Sequence, residues 1–223
     1  MRRRRLVLLR HGQTAYNLGS RMQGQLDTEL SELGRAQAVA AAEVLGQQQP
    51  LLIVSSDLQR AHQTAVVLAT GAGLPVQVDA RLRETHLGEW QGLTHDQIDT
   101  IAPGIRLAWR EDASWAPHGG ESRIDVAARG MSLVTRLVSQ EPAWGGSDEP
   151  DRPVILVAHG GFIAALSAGL LRLPVANWPV FGGMGNASWT QLSGYSTEDA
   201  GPDGVRWRLD VWNSSVQVAN HVR

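Results

Sequence analysis

Two histidines, each followed by glycine, mark the places where this chain could do chemistry. His11 follows Arg10, and His159 precedes a pair of glycines. Arg60 and Glu84 lie between them in the sequence. Arginine offers a planar fork that suits an oxyanion with several oxygens, and a histidine beside it can act as general base or nucleophile. A carboxyl group can then protonate the leaving oxygen. Together these residue types favour phosphoryl transfer.

The elements that must position these residues follow from short apolar runs. We predict buried strands at residues 6–9, 51–54, 76–78 and 154–158, and two later strands near 188–192 and 205–212. Helices are predicted at about 32–48 after Ser31, from a cap at Asp57 to about 69, at 122–140 and at 162–171. Strands that alternate with helices indicate an α/β fold, a three-layer α/β/α sandwich with a mostly parallel central sheet.

This arrangement explains why residues far apart in sequence should meet. In an open α/β sheet the site lies beyond the carboxyl ends of the strands. Arg10 and His11 end the first strand, Arg60 begins the helix after the second, Glu84 follows the third, and His159 ends the fourth. We therefore expect all five in one crevice.

Composition limits the alternatives. The 223 residues are 43% hydrophobic and 19% charged, and they suggest one domain at 1–223 with a short irregular insertion at about 95–121 over the active site. There is no cysteine, which excludes thiolate metal sites and a cysteine nucleophile. All 20 basic residues are arginine, which excludes a lysine-dependent phosphate loop.

Charge and hydropathy suggest where the chain works. The net charge of −2 gives no reason to expect nucleic acid or a membrane as partner. The run Arg2 to Arg5 is expected to be a solvated terminus. The apolar residues 6–9 stop at Arg10, far short of a signal peptide, so we expect a cytoplasmic location. Alternating tryptophans in the last strand favour a homodimer edge.

Four segments, in order, resemble the histidine phosphatase superfamily, the phosphoglycerate mutase-like proteins. They are residues 8–14 (LLRHGQT), 55–61 (SSDLQRA), 82–92 (LRETHLGEWQG) and 158–161 (AHGG). The resemblance covers nearly the whole chain. Position 13 is glutamine where many relatives carry glutamate, which removes a negative charge near the first histidine.

The resemblance implies a division of labour among these residues. His11 would be phosphorylated transiently, His159 would be a catalytic residue that binds the phosphoryl oxygens, and Glu84 would protonate the leaving group and later activate water. Phosphoryl oxygens would be bound by Arg10, Asn17 and Arg60, and by the Gly160 amide. Phosphoryl transfer needs little beyond positioning and charge stabilisation, so no metal or cofactor is expected.

The likeness extends to residues 19–27 and 207–212 and implies a small phosphorylated sugar acid, a glucosylated phosphoglycerate, as substrate in methylglucose lipopolysaccharide synthesis. Gln23, Gly24 and His118 are candidate substrate-binding residues. One arginine of residues 106–123 could pair with the substrate carboxylate. The alternatives are a broad-specificity phosphatase, a phosphoglycerate mutase, or a non-catalytic phosphate-binding module on the same fold.

Overall fold

A single six-stranded sheet organises the computed structural model, which describes residues 3–146, 151–196 and 204–217. Its strands are β1 (Arg3–Arg10), β2 (Leu52–Ser55), β3 (Val76–Val78), β4 (Val154–Ala158), β5 (Trp189–Ser196) and β6 (Val205–Ser214). The strand order is β3-β2-β4-β1-β5-β6. The first four are parallel to one another, β5 pairs antiparallel with β1, and β6 pairs antiparallel with β5.

Helices cover both faces of the sheet. They are α1 (Ala15–Leu18), α2 (Glu32–Gly46), α3 (Gln59–Ala72), α4 (His95–Ile101), α5 (Ile105–Glu111), α6 (Arg123–Gln140) and α7 (Gly160–Leu170). Short 3-10 helices lie at Ala80–Leu82, Gly88–Trp90 and Val175–Val180. The two longest helices, α2 and α6, begin at side-chain caps: the Ser31 hydroxyl accepts from the Gly34 amide, and the Ser122 hydroxyl accepts from the Asp125 amide. These caps satisfy backbone donors that the first turn leaves unpaired.

The alternation of β1 explains the three layers. Leu6 and Leu8 pack into a core with residues of α6 and α7, while Val7 and Leu9 pack on the other face against α2 and α3. Successive side chains of a strand point to opposite faces, so one strand fills both cores. The predicted three-layer sandwich with a mostly parallel sheet is confirmed.

Three local expectations were wrong. Of the arginines expected to form a solvated terminus, Arg2 lies outside the described residues, whereas Arg3 to Arg5 begin β1 and pair with β5, with Arg4 buried. Asp57 does not cap α3; Leu58 takes that position, and Asp57 accepts hydrogen bonds from Arg83. The segment 95–121 is not irregular throughout, since it contains α4 and α5.

Close backbone contact fixes the chain after β1. A Cβ atom at Gly12 would lie 2.2 Å from the Gly34 carbonyl oxygen, and one at Gly34 would lie 2.0 Å from that of Gln13. Both distances are far below contact, so the turn after β1 can rest against α2 only when neither position has a side chain. The backbone that carries His11 is therefore held firmly against its neighbour.

Candidate active site

A cavity of about 180 Å³ opens at the carboxyl end of β1. Predicted site residues that line it are Arg10, His11, Asn17, Gln23, Gly24, Arg60 and Glu84. Arg21, Met22, Thr85 and Leu87 complete the lining. Residues that were predicted from four separate parts of the sequence thus share one small polar space.

His11 is held with one ring nitrogen committed and the other free. Its Nδ1 lies 2.6 Å from the Gly12 carbonyl oxygen. A carbonyl only accepts, so Nδ1 carries the proton and Nε2 keeps the lone pair that a nucleophile needs. The residue is 3% exposed. Burial, together with the charges of Arg60 and Arg10, holds the pKa of His11 well below its usual value of 6.5. The ring is therefore neutral at physiological pH.

His159 lies beside His11 because β1 and β4 are adjacent parallel strands, with Arg10 opposite Ala158. The two ring centroids are 5.2 Å apart. His159 Nε2 lies 3.0 Å from the Ser56 hydroxyl, while its buried Nδ1 has no hydrogen-bond partner in the described part of the chain. Burial and the Arg60 charge hold the pKa of His159 well below 6.5. With Ser56 donating to Nε2, Nδ1–H remains available to an oxyanion.

Two guanidinium groups provide the positive charge of the site. Arg60, in the first turn of α3, is fully buried, and it donates to the carbonyl oxygens of Leu26 at 2.8 Å and Gly24 at 2.7 Å. Burial lowers the pKa of Arg60 to about 10, which leaves it protonated at neutral pH. Arg10 donates from Nη1 to the Met184 carbonyl, and burial lowers its pKa as well. In both arginines the buried Nε–H lacks a partner among the described residues.

Asn17 presents its amide nitrogen to the cavity because its oxygen is already used. Asn17 Oδ1 accepts from the Thr14 amide at 3.0 Å and from Asn186 Nδ2 at 3.1 Å. These donors fix the orientation of the side chain, so its NH₂ group is the end left for a ligand. A donor at this place suits a phosphoryl oxygen.

Glu84 lies at the N-terminus of α7. Its Oε1 accepts from the Phe162 amide at 2.8 Å, and its Oε2 accepts from the Gly161 amide at 3.0 Å. A Cβ atom at Gly161 would lie only 2.7 Å from Oε1, so glycine is needed for this approach. The Gly160 amide is the remaining donor of this first turn, beside the Arg10 side chain.

The backbone of Glu84 is held by a separate ion pair. Arg129 donates to the Glu84 carbonyl oxygen at 2.9 Å and to the Arg81 carbonyl oxygen at 2.7 Å. Its guanidinium also pairs with Glu121 at 3.0 Å and lies over the ring of Phe162. Arg129 therefore ties the Glu84 segment to α6.

The three residues predicted to bind substrate have different surroundings. Gln23 is buried, with Oε1 accepting from Thr14 and Thr28, so its amide nitrogen is left for a ligand. Gly24 lines the cavity and holds Arg60 through its carbonyl. His118 does not line the cavity; its side chain is 86% exposed and lies 2.9 Å from Glu89. No residue of 95–121 lines the cavity either.

Sequence reasoning missed some residues of the site. Ser56 lies in the second motif and contacts His159, but a serine gives no distinctive signal. Arg21 lies in the segment 19–27 beside Gln23, so proximity in sequence was an available signal. The carbonyl of Met184 and the amide of Asn186 come from a loop that carries no motif.

Metal-binding clusters and membrane-spanning helices were sought within residues 3–146, 151–196 and 204–217. These residues contain no group of three or more His, Asp or Glu side chains arranged to hold a metal ion. None of their helices combines the length and the apolar character needed to cross a bilayer. The expectation of a metal-free reaction stays a prediction.

Known proteins share both the sequence and the fold. Residues 6–213 match the model of the histidine phosphatase superfamily (branch 1). The chain is 75% identical over 222 residues to glucosyl-3-phosphoglycerate phosphatase of Mycobacterium tuberculosis strain H37Rv, covering 100% of both chains. It is 68% identical over 225 residues to the protein of that name from Mycolicibacterium vanbaalenii, again with 100% coverage of both.

A solved structure agrees with these sequence relationships. The mycobacterial glucosyl-3-phosphoglycerate phosphatase in complex with VO3 superposes with a TM-score of 0.91 at 76% identity, covering 95% of this chain and 100% of that one. The family suggested by the four motifs is confirmed. The chain belongs to the histidine phosphatase superfamily.

Proposed function

We propose that this chain is a phosphatase that hydrolyses glucosyl-3-phosphoglycerate to glucosylglycerate and phosphate through a phosphohistidine. The observation that carries the chemistry is the His11 ring, whose Nδ1 is bound to the Gly12 carbonyl and whose Nε2 is free beside Arg10 and Arg60. The substrate is supported by full-length relatives at 75% and 68% identity that carry this activity in their names. A role in methylglucose lipopolysaccharide synthesis follows from that substrate.

In the first step, Nε2 of His11 attacks phosphorus and the bond from phosphorus to the glycerate oxygen breaks. Glu84, in its protonated form, gives its proton to that leaving oxygen. The guanidinium groups of Arg10 and Arg60 stabilise the charge on the phosphoryl oxygens, with the Asn17 amide and His159 as further donors. Because hydrogen bonds within the protein already orient these donors before substrate arrives, little reorganisation is needed.

In the second step, water attacks the phosphohistidine and the bond from phosphorus to Nε2 breaks. The Glu84 carboxylate takes a proton from that water, which restores the acid for the next cycle. Phosphate is released and His11 returns to its neutral form. The His11 imidazole leaves phosphorus as a neutral ring, and its lowered pKa makes it a weaker base and therefore a better leaving group.

The test is phosphate release from a panel with and without EDTA. The panel contains glucosyl-3-phosphoglycerate, mannosyl-3-phosphoglycerate, 3-phosphoglycerate and p-nitrophenyl phosphate. We expect a strong preference for the glucosyl compound that EDTA does not change. Similar rates across the panel would indicate a broad-specificity phosphatase, and phosphate exchange between 2- and 3-phosphoglycerate would indicate a mutase.

Trapping of labelled phosphate on the protein tests the nucleophile. After quenching in alkaline denaturant, we expect wild type, but not His11→Ala, to carry label, and we expect the label to be stable in base and lost in acid, as a phosphohistidine is. Equal labelling of both proteins would remove His11 as nucleophile. Binding of phosphate by both proteins, with neither labelling of the protein nor phosphate release from any ester, would favour a non-catalytic phosphate-binding module.

Two finer expectations remain proposals. A homodimer is supported by the position of β6 at the edge of the sheet. The tryptophans give less support, since Trp189 and Trp207 are buried and Trp212 packs against Phe181. Sedimentation at micromolar concentration would settle the oligomeric state. Cell fractionation would test the proposed cytoplasmic location.

A further inference from the structure

Arg21 is a third guanidinium that lines the cavity, and no phosphoryl role was assigned to it. Its Nη1 donates to the Gly92 carbonyl oxygen at 2.8 Å. Within residues 3–146, 151–196 and 204–217 it forms no ion pair with a carboxylate. Unlike Arg10 and Arg60, it is exposed, so it lies at the open side of the cavity.

Arg10 and Arg60 already balance the charge of a bound phosphoryl group, so Arg21 is not needed to neutralise it. A phosphate monoester near neutral pH carries about two negative charges, and Arg10 and Arg60 supply two buried positive ones. His11 and His159 are neutral because burial lowers their pKa. A second anionic group on the substrate would bring a third negative charge and would therefore need a third cation, and Arg21 is the further arginine that lines the cavity.

The backbone of Arg21 is well fixed. Its amide donates to the Tyr16 carbonyl at 2.9 Å, and the residue forms an isolated antiparallel bridge with Thr94. The His95 amide continues this contact by donating to the Ser20 carbonyl at 3.2 Å. The backbone position from which the Arg21 guanidinium extends is therefore fixed. The planar guanidinium suits bidentate binding of a carboxylate.

Two other arginines that were candidates to bind the substrate carboxylate already have partners within the protein. Arg106 pairs with Asp99 at 2.5 Å, and Arg123 donates to the carbonyls of Trp109 and Arg110. Neither lines the cavity, and Arg110 does not line it either. The expectation that an arginine of residues 106–123 pairs with the substrate carboxylate is therefore not supported by their positions.

We propose that Arg21 binds the carboxylate of the phosphoglycerate unit and so selects phosphorylated glycerates over other phosphate esters. This inference rests on the proposed function, because it assigns a group of that substrate to a residue. In this unit, two carbon atoms separate the ester oxygen from the carboxylate. This spacing suits a phosphate bound at the base of the cavity and a carboxylate bound at its rim.

The test compares two phosphate esters that differ only in the carboxylate. 3-Phosphoglycerate has it, and glycerol 3-phosphate has a hydroxymethyl group in its place. We expect wild type to favour 3-phosphoglycerate in kcat/KM, and Arg21→Gln to reduce that ratio by about 10- to 100-fold, as loss of a charged hydrogen bond does. Arg21→Lys should retain part of the ratio. Arg35→Gln, at an exposed arginine paired with Glu29, should leave it unchanged.

A second measurement does not need turnover of either ester. Each is tested as a competitive inhibitor of p-nitrophenyl phosphate hydrolysis, and the ratio of inhibition constants should change in the same direction in Arg21→Gln. An unchanged ratio in this variant, or no preference in wild type, would overturn the inference. An equal loss with both esters would mean that Arg21 only supports the fold through Gly92.

Failure of the proposed function has a different signature. Wild type that showed no preference for glucosyl-3-phosphoglycerate over 3-phosphoglycerate would refute the glucosyl substrate. The ratio between 3-phosphoglycerate and glycerol 3-phosphate would still report on Arg21. The two ideas can therefore fail separately.

Discussion

Replacing Gly161 by alanine should separate the stability of the fold from the chemistry of Glu84. Gly161 lies in the first turn of α7 and donates to Glu84 Oε2 at 3.0 Å. A Cβ atom there would lie 2.7 Å from Oε1 and 3.2 Å from the carboxyl carbon. The carboxylate must therefore retreat by several tenths of an ångström before normal contact is restored.

The expected magnitude follows from two opposing effects. Alanine in a helix is favoured over glycine by about 1 kcal/mol, which offsets much of the weakened contact with Glu84, so the free energy of unfolding should change by less than about 1 kcal/mol. Misplacing a catalytic group by about 1 Å costs roughly 100-fold in rate. Because the shift expected here is smaller, several tenths of an ångström, we expect Gly161→Ala to lower kcat/KM by about tenfold, equivalent to about 1.4 kcal/mol.

The assay uses leaving groups of different basicity. An alkoxide such as that of 3-phosphoglycerate needs protonation more than p-nitrophenolate does, so Gly161→Ala should harm the alkyl ester more than the aryl ester. Gly71→Ala is the matched control, because a Cβ atom at Gly71, in helix α3, meets nothing within 4 Å. It should leave both rates unchanged.

A double variant provides the decisive result. If Gly161→Ala acts through Glu84, adding it to Glu84→Ala should lower kcat/KM no further. Additive losses in the double variant, or equal losses for alkyl and aryl esters, would refute the reasoning.

Other predictions concern the histidines and the ion pair behind the acid. Nitrogen NMR of labelled protein should show His11 as the neutral Nδ1–H tautomer, still neutral at pH 6.5, and an imidazolium there would contradict its burial. Because His11 and His159 have lowered pKa values when folded, the unfolded chain binds more protons below about pH 6.5, so stability should fall on acidification by up to about 1.4 kcal/mol per pH unit for each. Urea unfolding at several pH values checks this, and His11→Asn with His159→Asn should flatten the dependence; an equal slope would count against it. Arg129→Met should lower kcat/KM for alkyl phosphates about tenfold, with little change in KM, because Glu84 loses a backbone donor and Glu121 loses its partner. Unchanged kinetics would show that Arg129 does not position the acid.

The sheet and the phosphate cradle could be predicted because their signals are local. β3 and β4 begin and end where expected: β3 alternates apolar and polar residues after Pro75, and β4 is an apolar run between Pro153 and His159. His11 and His159 follow such runs directly, so strand topology alone brings them together. Strand pairing in the sheet therefore fixes the position of a residue that directly follows a strand.

The errors have physical reasons. Arg3 to Arg5 looked solvated because periodicity registers only apolar side chains, whereas the strand continues through backbone pairing with β5. The helix α4 was missed although Thr94 and Gln97 form a capping box, because seven residues are too few for a clear period. His118 and Arg21 could not be ranked from sequence, since lining a cavity depends on tertiary contacts.

The position of β4 between β2 and β1 has a consequence for biosynthesis. The first two strands to leave the ribosome are not neighbours in the finished sheet, and the strand that joins them is made much later. Until then each exposes an unpaired backbone edge, which invites wrong pairing, and His11 has no His159 beside it. The two histidines can thus come together only when synthesis has passed β4, late in the growth of the chain.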